Sequence, residues 1–144
     1  MEANLEQLRQ IAEATLSRLR ALPEGEARTL LIATDYHGFS VARFPESFHA
    51  EVVATGNLSP EDVQLEVVHV ACDLSDEIHS HQLSTALIVC LGPEENFPAP
   101  QLAQGYLVDR WSRISAGDEV RVPAGTPHGF TVGEGGSLYF LSVQ

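Results

Sequence analysis

Residues 117–132 read GDEVRVPAGTPHGFTV, and their order decides how the rest of the chain is understood. The short run DEVRV has the alternation of a β-strand and stops at Pro123. PAGTP, residues 123–127, then reverses the chain: Gly125 suits a turn position that needs a permissive backbone, and Pro127 stiffens the approach to the next strand. His128 opens that strand. A histidine placed at a strand–turn–strand junction is a candidate metal ligand, and its partners must come from elsewhere in the chain.

They are found upstream in IHSHQLSTALIVCLG, Ile78 to Gly92. In a strand, side chains two residues apart share a face, so His79 and His81 point the same way and Ser80 points the other. Two imidazoles held like this bind one divalent ion, but two ligands seldom suffice. His128 supplies the third.

The two stretches together resemble the cupins, small jelly-roll β-barrels that hold a metal inside the barrel. Gly117, Pro123, Gly125 and His128 match the second cupin motif, with Val132 where an Asn is usual. His79, His81 and Gly92 match the first motif; Asp73 replaces its first Gly, and Thr85 stands where its Glu belongs. The resemblance spans residues 73–132. It implies an all-β fold, a cupin jelly-roll (double-stranded β-helix) barrel over residues 25–144, preceded by one N-terminal α-helix in residues 1–24.

The missing Glu has a chemical consequence. Neutral imidazoles leave a divalent ion its full double charge, which favours anionic chelating substrates such as an enolate or a carboxylate. Thr85, with a hydroxyl, is expected behind the ligands, bonded to a metal-bound water. Three-histidine sites resemble those of certain cupin dioxygenases that use non-haem iron, the diketone-cleaving ones above all, so Fe is the metal expected of an enzyme; Zn, Ni, Mn or Cu also suit such ligands. The alternative is a barrel that binds metal or a small ligand without catalysis, or one that has lost its metal.

Pocket walls follow from strand parity. Phe130 and Val132 share the face of His128, and Leu87 and Val89 share that of Thr85, so a mostly apolar pocket is expected, with Cys90 facing away. Tyr106, Arg110, Trp111 and Tyr139 are the candidate polar groups, Tyr106 foremost. His69, in VQLEVVHVAC, has the parity of Val63, Leu65 and Val67 and reads as a satisfied core histidine.

Around this centre the chain divides simply. Leu5, Leu8, Ala12, Thr15, Leu19 and Leu22 form a helical stripe, Asn4 and Gln7 fit a capping box, and Pro23 ends the helix. That stripe fits either the chain's own barrel or a partner subunit, and with the cupin resemblance it makes a homodimer the expected assembly. From Arg28 onward, short β-like runs alternate with turns. AEVVAT and GYLVDRWSRI read as strands, and VGEGG as a break between strands.

The 144 residues fit one domain. Acidic residues number 20 against 8 basic ones, all eight arginine, for a formal net charge of −12. Phosphate backbones and anionic membrane surfaces call for the opposite sign, so neither nucleic acid nor membrane is an expected partner; a small molecule is. The acidic N-terminus is unlike a secretory signal, and no apolar run nears the roughly 20 residues that span a bilayer. A cytoplasmic setting is therefore expected, with Cys72 and Cys90 reduced.

Overall fold

The computed structural model describes residues 4–22, 32–36, 39–70, 74–75, 80, 85–92 and 97–144. Helix α1, Leu5–Arg20, starts at the capping box read from the sequence: the Asn4 side chain accepts from the Gln7 amide at 2.9 Å, and the Gln7 side chain accepts from the Asn4 amide at 3.0 Å. Its buried stripe is Leu8, Ile11, Ala12, Thr15 and Leu19. Thr15 fits among these apolar neighbours because its hydroxyl donates to the Ile11 carbonyl at 2.7 Å.

Strands β1, Ile32–Tyr36, and β2, Phe39–Arg43, form an antiparallel pair. The run AEVVAT that follows is not a strand. It belongs to helix α2, Glu46–Ala54, which begins after Pro45 and buries Phe48, Val52 and Val53. The β-branched pair misleads because burial decides here: these side chains join the core that α1 also enters, and packing outweighs a modest propensity. At Gly56 a Cβ would stand 2.9 Å from both the Gln7 carbonyl oxygen and Ile11 Cγ1, so glycine is what lets the two helices approach.

A 3-10 turn, Pro60–Asp62, leads into β3, Leu65–Val70, and then β4, Leu74–Ser75; β5, Ala86–Cys90, lies further along. GYLVDRWSRI contains a hairpin in place of one strand: β6, Gln101–Leu107, turns at Val108 and Asp109 into β7, Arg110–Arg113. Val108 has a φ of 66°, a value that β-branched residues rarely adopt, which is why its apolar side chain gave no hint of a turn. The remaining strands are β8, Glu119–Val122, and β9, His128–Val143.

β9 organises the barrel. Its second half pairs with β3 and β5 in one sheet, ordered β1-β2-β3-β9-β5-β8, while its first half pairs with β4 and β6 in the other, where β7 follows β6. VGEGG, read from sequence as a break, is the pivot inside this single long strand. Gly135 has a φ of +77°, and a Cβ on Gly136 would run into the Gln101 carbonyl oxygen.

The first sheet has two buried faces. On its outer face Leu65, Val67, Leu87, Val89, Leu141 and Val143 pack with α1 and α2. On its inner face Val68, Val70, Cys90, Leu138 and Phe140 meet Ala103 and Val132 of the second sheet. The barrel interior is therefore this second cluster. An ion pair of 2.8 Å between Arg9 and Glu119 further ties α1 to β8 on the outer side. No helix among the described residues is long and apolar enough to cross a membrane.

Candidate metal centre

PAGTP behaves as its residues dictate. The Thr126 amide donates to the Pro123 carbonyl at 3.1 Å, with Gly125 at a φ of +80° between them, the arrangement of a type II turn. The turn delivers His128 to the first position of β9, 6% exposed. A second tie fixes the junction: the Val108 amide of the β6–β7 hairpin donates to the Pro127 carbonyl at 3.0 Å.

The His128 ring is oriented by its own turn. Nδ1 lies 2.9 Å from the Thr126 carbonyl oxygen. A carbonyl only accepts, so Nδ1 carries the proton, and in the neutral ring Nε2 bears the lone pair. A ring whose Nδ1–H is held by a backbone carbonyl is the usual form of a metal-ligating histidine, since that contact fixes both tautomer and orientation. By its chemistry His128 fits a divalent ion.

His79 and His81 lie outside the described residues, as does Cys72. β4 pairs with β9 through Leu74 opposite Val132 and Ser75 opposite Thr131. In the sequence Ser75 is four residues before His79, and Thr131 is three after His128. Ser80, between the two, is exposed. Among the described residues, no three His, Cys, Asp or Glu side chains gather in a metal-binding group.

Register assigns the inward and outward faces of the barrel wall. Leu107 of β6 lies opposite His128, Gly105 opposite Phe130 and Ala103 opposite Val132. Phe130 and Val132 thus share the inward face with His128, and the Phe130 ring meets Phe140 of the other sheet edge-on, centroids 5.0 Å apart. Leu87 is a correction. It and Val89 face the helices, whereas Ile88 and Cys90 face inward, because β5 is in the opposite phase from the one expected. Ala86, 1% exposed, heads the inward series, so the alternation of β5 does not carry half-buried Thr85 toward the pocket.

Tyr106 is a second correction. It lies opposite Gly129 and Trp111, on the side of the sheet away from His128, and stacks edge-on with Trp111 at 5.3 Å. Tyr139 also faces outward, its ring 4.0 Å from and nearly parallel to that of His69. His69 is thus placed on the helix side, away from the barrel interior. Of the four polar candidates only Arg110, opposite Leu107, continues the face of His128, at the exposed rim of the barrel.

Two inward groups were missed in the sequence. Cys90 is buried among Val132, Leu138 and Phe140, and burial pushes its thiol up to about 11, with Asp118 adding to the rise and the Gly117 amide opposing it. Glu66, 8% exposed, is a charged residue inside a β-strand whose neighbours are apolar, and that was the signal. It lies opposite Ser142, which in turn lies opposite Ile88. Its carboxylate accepts from Gln64 Nε2 at 2.8 Å and from Arg43 Nε at 3.3 Å.

No known family profile matches the sequence, and no curated protein does. Solved structures do match in fold. The polyketide cyclase RemF from Streptomyces resistomycificus aligns over 81% of this chain and 74% of its own, with 20% identity and a TM-score of 0.58. The Rhodospirillum rubrum protein Rru_A2000, a cupin-2 domain, aligns over 78% of this chain and 66% of its own, with 14% identity and a TM-score of 0.53. Hydroxypropylphosphonic acid epoxidase of S. wedmorenis aligns over 79% and 55%, with 14% identity and a TM-score of 0.55.

Proposed function

We propose that this chain, which has the cupin fold, holds one divalent metal ion through His79, His81 and His128 and acts on a small chelating substrate as a non-haem iron dioxygenase. The observation that carries the reading is His128: buried, turned inward, and fixed by Thr126 in the tautomer that leaves Nε2 as the donor atom. A bound ion would supply Lewis acidity and open coordination positions for substrate.

The chain's own residues define what those positions accept. Ile88, Phe130 and Phe140 keep water away from one side, favouring a ligand with an apolar part. Arg110, on the face of His128 at the rim, provides a positive charge in a chain of net charge −12 and suits an anionic group. Without a carboxylate at position 85 the metal keeps its double charge, which also favours an anion.

The test is aerobic turnover of iron-loaded protein with β-diketones, thiols and hydroxy-ketones, followed by oxygen consumption. Uptake with a member of the panel, lost in His128→Ala, is the expected result. A filled iron site that consumes no oxygen with any of them counts against catalysis and favours a barrel that only binds its ligand.

A further inference from the structure

The usual cupin carboxylate is absent at Thr85, yet the barrel does hold a buried one. The two halves of β9 fold back on each other at the glycine pivot, and the Phe130–Phe140 contact shows which levels coincide. Two residues further from the pivot on each half stand His128 and Ser142. Glu66 is directly opposite Ser142 and, like Val68 and Val70, belongs to the inward series of β3. His128 and Glu66 therefore belong to the inward faces of opposing sheets, each at the register position two residues beyond the Phe130–Phe140 contact, and stacked sheets lie about 10 Å apart.

Glu66 is also held in place. Gln64 bonds one carboxylate oxygen and Arg43 the other. A carboxylate has about four acceptor sites, so these two bonds leave roughly half of them. What a fixed, buried carboxylate with spare acceptor capacity asks for is a proton donor.

We propose that Glu66 selects the ligand of the metal site by accepting a hydrogen bond from it: the site takes a chelator that carries a hydroxyl or enol O–H beside its metal-binding oxygen, in preference to the same chelator without that proton. This rests on the three-histidine reading above. Glu66 is in this account a specificity residue, and it does not ligate the metal.

The experiment uses full-length protein loaded with cobalt, whose visible spectrum reports ligand binding, titrated with glycolate and with methoxyacetate. Both chelate through a carboxylate and a second oxygen; only glycolate has the O–H. The wild type is expected to prefer glycolate, and Glu66→Gln to lose roughly tenfold to a hundredfold of that preference, the range of a hydrogen bond to a charged group. Comparing the two ligands within each protein cancels their intrinsic difference.

Arg43→Gln keeps the carboxylate and is expected to keep most of the preference, which a merely structural role for the Arg43–Glu66 pair would not predict. Glu66→Asp, retracting the carboxylate by one methylene, is the second variant should Glu66→Gln not fold, and is expected to weaken the preference. Cobalt-loaded wild type and Glu66 variants with equal preference overturn the inference alone. Wild-type protein that takes up no cobalt overturns the three-histidine site and this inference with it.

Discussion

The two faces of the first sheet are packed differently. Outward, Leu65, Leu87, Leu141 and Val143 are 2% exposed or less beneath α1 and α2. Inward, Val41, Ile88 and Phe130 retain some exposure, and Glu66 and Ser142 put polar atoms among apolar ones. The outer face is a dry core that gains its free energy from close packing. The inner face is also largely buried, but its packing is interrupted by these polar atoms and half-exposed side chains, as the proposed ligand site requires.

Truncation should separate the two faces. Leu141→Ala, on the fully buried outer face, is expected to cost about 2–5 kcal/mol in denaturant unfolding while the folded protein keeps its metal capacity. Ile88→Ala, opening an already half-exposed inner wall, should cost less and change ligand affinity instead. Equal stability losses with unchanged ligand binding would erase the distinction.

A smaller effect sharpens it from the inside. The Cys90 thiol, ordinarily at 9.0, is raised to about 11 in the folded protein. Folded protein therefore keeps this proton after the unfolded chain has lost it, so the group favours unfolding progressively as pH rises from about 9 to about 11, and has no such effect below. Cys90→Ala should show a shallower alkaline decline in stability than the wild type across that window. Identical slopes would place Cys90 in contact with water.

What was legible in the sequence follows the same division. The turn PAGTP, the capping box and the start of a strand at His128 were plain, because backbone geometry restricts those positions to few residue types. The phase of β5 was not. TALIVCL is apolar on both faces because both faces are buried, one by helices and one by the opposite sheet, so alternation carries no signal and the phase was set from Thr85. Leu87 was thereby turned inward and Cys90 outward. The turn at Val108 escaped for a related reason: its positive φ is supported by tertiary contacts such as the bond to Pro127, which local sequence does not encode.

Glu66 stands in the sequence as a lone charge within an apolar run and was passed over. Its meaning depends on the barrel closing, since only the fold brings β3 across from His128.

The most direct test of the account is metal content by elemental analysis, on wild-type protein and on His128→Ala after equal exposure to ferrous iron or zinc. Close to one metal per chain in the wild type, falling steeply in a variant that remains folded, is the predicted result. Substoichiometric metal that is the same in both proteins would contradict the three-histidine centre.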